Sequence, residues 1–182
     1  MILFIDACVR ENSRTKRLAE ALLKKLNEEV VRVALEDISF GVTNETYLKK
    51  RDHLISKGAF DDDMFALARQ FAEADTIVIA APYWDLSFPA MLKQYIEVIN
   101  VLGVTFEYTP EGFPRGLCKA NKLYYVMTAG GNYVPTDYGF GYIKTLAQNF
   151  YGIKNVELIK TTGLDIIGAD EEALLNEVII TV

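Results

Sequence analysis

Three stretches of this chain carry side chains that could hold a ligand, and each follows a short apolar run. The first is Ala7-Cys8-Val9-Arg10-Glu11-Asn12-Ser13-Arg14-Thr15. It runs into a segment of helical spacing, so it ends on free backbone N–H groups at the positive end of a helix dipole. Arg10 and Arg14 add fixed positive charge, and Ser13 and Thr15 add hydroxyl donors. That set suits a phosphomonoester. It equally suits a plain serine cap beside two solvated arginines, and the loop by itself leaves both readings open. The second stretch is Pro82-Tyr83-Trp84-Asp85-Leu86-Ser87-Phe88, which offers flat apolar surface and backbone N–H groups to a planar polar ring. The third is Thr128-Ala129-Gly130-Gly131-Asn132-Tyr133, whose paired glycines let the backbone approach a ligand closely. A plain turn accounts for a lone Gly-Gly just as well.

The elements that must position these loops follow from periodicity. Ile2 to Ile5, Val30 to Leu35, Thr76 to Ala81, Lys122 to Met127 and Asn155 to Lys160 read as strands. Thr76 to Ala81 is apolar without alternation, as expected of a strand covered on both faces. Helices are expected from Arg14 to near Glu28, over Glu45 to Lys57, and over Met64 to Glu73 behind the acids Asp61 to Asp63. A further helix has Pro89 in its first turn and Gly103 as its stop. Two more cover Tyr142 to Tyr151, capped by Gly152, and Asp170 to Val182. Thr105 to Leu117 is rich in Phe, Tyr, Pro and Gly and reads as a structured excursion, because its aromatics would be costly to leave in water. Alternation of strands and helices implies an α/β fold. The expected form is a flavodoxin-like doubly wound five-stranded parallel sheet of order 2-1-3-4-5, with helices on both faces. Residues 1–182 are expected to form one domain.

In such a sheet the ligand lies beyond the carboxyl ends of the strands, where the order reverses. The loops after the first, third and fourth strands meet there. A phosphate end, an aromatic floor and a glycine wall match a flat heterocycle on a phosphorylated chain, and flavin mononucleotide (FMN) is the candidate. The chain has neither Gly-x-Gly-x-x-Gly nor the Gly-Lys-Ser/Thr of a P-loop, which weakens dinucleotide and nucleoside-triphosphate readings.

These same residues resemble a known family. Asn12-Ser13-Arg14-Thr15, the run Ala81 to Lys93, Thr105-Phe106-Glu107-Tyr108-Thr109, Thr128-Ala129-Gly130-Gly131 and Phe150-Tyr151-Gly152-Ile153 are similar to the flavodoxin-like FMN-dependent NAD(P)H:quinone oxidoreductases, including the NADH-azoreductases. The resemblance implies a homodimer with one FMN per subunit and a site at the interface. Hydride would pass from NADH or NADPH through FMN to a quinone or azo acceptor, by a ping-pong route. It implies that Ser13, Arg14 and Thr15 hold the phosphate, that Pro82, Tyr83, Trp84, Asp85 and Leu86 line the ring, and that Thr128, Ala129, Gly130 and Gly131 face its pyrimidine side. Tyr108, with Phe150 of the partner subunit, would lie near the substrate. The chain departs from the azoreductase pattern at Ala7, Asp85 and Ala129, where serine, asparagine and a polar residue are common. Arg10 stands as a substitute phosphate contact, and Asp85 is expected to act through its backbone N–H. The first rival on this fold is a flavodoxin-type carrier of single electrons that binds FMN but does not oxidise NAD(P)H; a response-regulator-like switch and a flavin-free interaction protein are the others.

Composition narrows the rest. A net charge of −6 argues against a nucleic-acid partner, which needs a basic face. Two separated cysteines, Cys8 and Cys118, form no disulfide framework and suit a reducing, cytoplasmic setting. No stretch is long enough to span a bilayer, and the start lacks a signal-peptide pattern. With one histidine, His53, and no clustered acids at ligand spacing, no metal site is expected. No side chain need act as catalytic acid or base, since a flavin carries the chemistry.

Overall fold

The computed structural model describes residues 1–181. Its main sheet holds β1 (Ile2–Asp6), β2 (Val30–Ala34), β3 (Thr76–Ala80), β6 (Lys122–Thr128) and β7 (Asn155–Thr161), all parallel, in the order β2-β1-β3-β6-β7. Counted along this sheet alone, that is the expected 2-1-3-4-5. The two strands left out of the count, β4 (Phe106–Tyr108) and β5 (Pro114–Gly116), pair antiparallel as a separate hairpin. They account for the aromatic excursion. The helices are α1 (Arg14–Leu26), α2 (Glu45–Ser56), α3 (Ala66–Glu73), α4 (Ala90–Ile99), α5 (Tyr142–Asn149) and α6 (Glu171–Thr181). The expected end of α6 at Val182 lies outside the described residues. No helix among them is long and apolar enough to cross a membrane.

Period-two alternation divides the central strands between two cores. Leu3, Ile5, Ile77, Ile79, Leu123 and Tyr125 face one side and pack with Phe71, Leu92, Tyr95 and Ile96. Ile2, Phe4, Val78, Ala80, Tyr124 and Val126 face the other and pack with Leu18, Ala19 and Leu22 of α1. Both faces being covered, these strands have no polar alternation to show. Asp6 is the exception in β1. Its carboxylate is buried, takes Arg32 Nε at 3.0 Å and Nη2 at 2.6 Å from β2, and accepts the Cys8 N–H at 3.0 Å. One buried anion thus sets the direction in which the chain leaves β1.

Several boundaries differ from those read in the sequence: α5 ends at Asn149 with Phe150 as its cap, short of the expected Tyr151 and Gly152, most others shift by a residue or two, and three have a local cause that can be named. Met64 and Phe65 form a 3₁₀ turn before α3, because the Asp62 carboxylate accepts the Met64 N–H at 2.9 Å and tightens the entry. Pro89 caps α4 from outside, with ψ at 140°. Gly103 is not the stop of that helix, which ends at Ile99. There the buried Thr105 hydroxyl donates to the Ile99 carbonyl at 2.7 Å and accepts the Val101 N–H at 3.1 Å. Gly103 serves the next turn, at φ 86°, and its N–H donates to the Phe106 carbonyl at 2.8 Å.

Helix α6 buries only Leu175 and is tied to α1 by charge. Arg17 grips Glu172 with two bonds, at 2.8 and 2.7 Å, and Arg14 reaches Glu171 at 3.2 Å. The Arg17 guanidinium holds the Glu172 carboxyl below its ordinary value. A depressed folded-state pKa contributes above the ordinary carboxylate range and is lost as pH falls through the depressed value. Protection factors of α6 amides are therefore expected to drop as pH falls below about 4, while β1 and β3 amides keep theirs. Parallel loss in all three elements would show that these ion pairs do not hold α6.

Candidate functional site

A cleft of about 250 Å³ opens at the carboxyl ends of β1, β3 and β6. It is lined by Arg10, Ser13, Arg14 and Thr15 from the first loop, Pro82, Tyr83 and Trp84 from the second, and Thr128 and Gly130 from the third. Val9, Asn12 and Asp165 complete the wall. Asp85, Leu86, Ala129 and Gly131 do not line it, although Asp85, Ala129 and Gly131 are each joined to a residue that does.

The first loop is built around Ser13. Its hydroxyl accepts the Lys16 N–H at 3.3 Å and its carbonyl accepts the Arg17 N–H at 3.0 Å, so it caps α1. The next two amides, of Arg14 and Thr15, have no acceptor among the described residues. They lie at the positive end of the dipole of a 13-residue helix. The cap and the phosphate cradle are thus compatible: the serine satisfies one donor and leaves two. Thr15 is buried, and its hydroxyl lies 2.7 Å from that of Thr128, which struts the first loop against the third. Cys8, in the same loop, does not line the cleft, and burial pushes its thiol up to about 12.

The second loop continues beside β6 after β3 ends. Ala81 N–H donates to the Val126 carbonyl at 3.0 Å and Tyr83 N–H to the Thr128 carbonyl at 3.0 Å. Trp84 and Ser87 then exchange two backbone hydrogen bonds, at 3.2 and 2.7 Å, around Asp85 and Leu86. Both central residues have positive φ, 50° and 66°. A two-residue hairpin with φ above zero at both positions is a type I′ turn, which normally takes Asn, Asp or Gly. Asp85 therefore stands where a side chain tolerant of the left-handed region is needed, and asparagine would serve the same turn. Leu86 carries the strain, of about 1–2 kcal/mol. The Ser87 hydroxyl donates to the Tyr138 carbonyl at 2.9 Å and the Tyr83 hydroxyl to the Pro135 carbonyl at 3.0 Å. These two bonds hold the turn against the segment that follows the third loop.

The third loop is sewn to the loop after β7. The Gly163, Leu164 and Asp165 N–H groups donate to the carbonyls of Gly131, Ala129 and Gly130 at 3.0, 3.3 and 2.9 Å. Ala129 is buried and its N–H donates to the Thr161 carbonyl. The N–H groups of Gly130 and Gly131 have no acceptor among the described residues. The room above Gly130 is already filled: a Cβ there would overlap the Asp165 carboxylate.

Asp165 is the residue that periodicity missed. Arg14 Nη1 donates to its Oδ1 at 2.8 Å and to Glu171 Oε2 at 3.2 Å, so this arginine already has two carboxylates. Arg10 has no ion-pair partner among the described residues. The signal was positional, because the loop after β7 leaves the same edge of the sheet as the other three. Tyr108 and Phe150 lie elsewhere. Both rings pack edge-on against Phe106, at 5.5 and 5.1 Å between centroids, and neither lines the cleft. Among the described residues no group of three or more His, Cys, Asp or Glu could hold a metal ion.

The donors suit a phosphate-bearing planar ring. Two amides, one hydroxyl and an arginine without an ion-pair partner among the described residues gather at one end, and Pro82, Tyr83 and Trp84 line another part of the wall. Comparison with known proteins agrees. The family model described as "Flavodoxin-like fold" matches residues 1–179. The chain is 37% identical to an FMN-dependent NADH:quinone oxidoreductase 2 of Clostridium acetobutylicum, covering 98% of this chain and 94% of that one. It is 33% identical to an FMN-dependent NADH:quinone oxidoreductase of Clostridium perfringens, with 97% and 92% covered. Among solved structures it is similar to an azoreductase from Bacillus anthracis, with a TM-score of 0.83, 26% identity, and 99% and 95% of the two chains covered.

Proposed function

The chain belongs to the flavodoxin-like fold family, among the relatives of the FMN-dependent NADH:quinone oxidoreductases, and from that premise we propose that it is itself an FMN-dependent oxidoreductase, passing hydride from NADH to a quinone or azo acceptor. The observation that carries this reading is the cleft, which places free helix amides and Arg10 in the same wall as Pro82, Tyr83 and Trp84. Bound there, FMN supplies two-electron hydride transfer that no side chain of the cleft can perform. Ser13, Arg10 and the Arg14 and Thr15 amides hold the phosphate. Pro82, Tyr83 and Trp84 support the ring, and the Asp85–Leu86 turn sets the height of Trp84. The Gly130 and Gly131 N–H groups, without an acceptor among the described residues, would stabilise negative charge at the pyrimidine edge.

The full chain acts as one domain in the cytoplasm, as a homodimer that brings Tyr108 and Phe150 of the partner subunit toward the cleft. Tyr108, Phe113, Tyr133 and Tyr138 are exposed in the single chain, which supports an assembled form. NADPH is the alternative donor. Acceptor and nicotinamide use one face in turn, so initial-rate lines are expected to be parallel, and intersecting lines would refute the ping-pong order. The decisive experiment is anaerobic. The purified full chain with added FMN should turn yellow, and NADH should bleach it completely. A protein that stays colourless in excess FMN overturns the reading. One that binds FMN but is not reduced by NADH or NADPH is a single-electron carrier instead.

A further inference from the structure

The charges around the phosphate end cancel. Arg10 and Arg14 line the cleft, yet Arg14 is held by Asp165 at 2.8 Å and by Glu171 at 3.2 Å. Asp165 itself faces the cleft, with its side chain 66% exposed. Its backbone is fixed by the bond from its N–H to the Gly130 carbonyl, and its carboxylate lies over Gly130, in the space a Cβ there would take. Hydrogen bonding from Arg14, and more weakly the charge of Arg10, hold that carboxyl below its ordinary value. A cradle for a dianion thus contains a permanent anion of its own.

We propose that Asp165 is a specificity-determining residue of the flavin site: its carboxylate occupies Arg14 and sets how strongly the cleft prefers a phosphorylated flavin to an unphosphorylated one. The inference rests on the flavin reading given above. The phosphate then draws its attraction from the α1 amides, Ser13 and Arg10, while Arg14 acts mainly as a strut from α1 to the loop after β7 and to α6. Removing the Asp165 charge, which leaves Arg14 with Glu171 as its remaining carboxylate among the described residues, weakens the competition with the phosphate for Arg14 and removes a like charge from the cleft. Both changes favour the phosphorylated ligand only.

The test is the ratio of two affinities, measured by quenching of flavin fluorescence on the flavin-free full chain. FMN and riboflavin are each titrated into the wild type, Asp165→Asn and Asp165→Ala, with thermal midpoints recorded for all three. Both variants are expected to bind FMN about tenfold more tightly, with riboflavin changed by less than about twofold. The gain should shrink in 1 M NaCl, where the Debye length is about 3 Å. Unchanged or weaker FMN binding in the two folded variants overturns the proposal, because Asp165 would then be a support for Arg14. Equal tightening of FMN and riboflavin overturns it as well, since the residue would act on the ring. A wild type that binds neither flavin removes the reading of the function and this inference with it, whereas a wild type that binds both separates the two.

Discussion

Replacing Arg10 and Ser13 together by alanine is expected to raise the FMN dissociation constant about 100-fold and to leave riboflavin within a few-fold. Each contact to an ionised phosphate contributes about 1.5 kcal/mol, and two such losses correspond to about two powers of ten in affinity. Arg10 is the cation to remove, because it has no ion-pair partner among the described residues. Ser13 also caps α1, so its loss alone costs about 1 kcal/mol of stability. Arg10→Ala with Ser13→Gly separates the effects, since a glycine cap costs only a few tenths of a kcal/mol. Fluorescence titration of both double variants checks the result. If riboflavin loses as much affinity as FMN, or if neither changes, the phosphate lies elsewhere.

The second large effect is on stability. A Cβ on Gly116 would overlap the Gly152 nitrogen and the Tyr151 carbonyl carbon and oxygen, which are all backbone atoms and cannot rotate aside. Gly116→Ala is therefore expected to cost about 4 kcal/mol, lowering the thermal midpoint by about 10 °C. Gly112→Ala is the control. It sits at φ 84° in the turn of the same hairpin with nothing near its missing Cβ, so it should cost only about 1–2 kcal/mol of backbone strain. Equal midpoints for the two variants would show that the hairpin does not pack on the Tyr151–Gly152 segment as described. The contact matters for function because it seats β4 and β5 beside Phe150. Phe106 packs edge-on with Phe150 and Tyr108 there, so a displaced hairpin would scatter the aromatic group expected near the acceptor.

Much of the site was legible because local chemistry specified it. Ser13 before a helical period marks a cap, and the parallel-sheet rule brings the loops after the first, third and fourth strands to one edge. Asp85 was the residue hardest to place from its chemistry, since a carboxylate beside a flavin is unfavourable. The backbone resolves it: the Trp84–Ser87 turn needs positive φ at two successive residues, and aspartate tolerates that better than most. The Gly130 reading also shifted. The glycine leaves room, but Asp165 takes the space first.

The sequence by itself therefore determined the sheet, its order and the stretches that meet at its carboxyl edge, because periodicity and caps act over neighbouring residues. Taken together, those stretches also pointed to a phosphate and a flat ring, although each loop alone left a plain cap or turn open. Only the tertiary structure decided which charges remain available. Arg10 and Arg14 are alike in sequence, yet one has no ion-pair partner among the described residues and the other is held by a carboxylate 151 positions away. It also decided that the Thr15 hydroxyl joins Thr128 across 113 positions. Pairings of that separation depend on where a parallel sheet brings its loops together, and no local pattern of residue types records them.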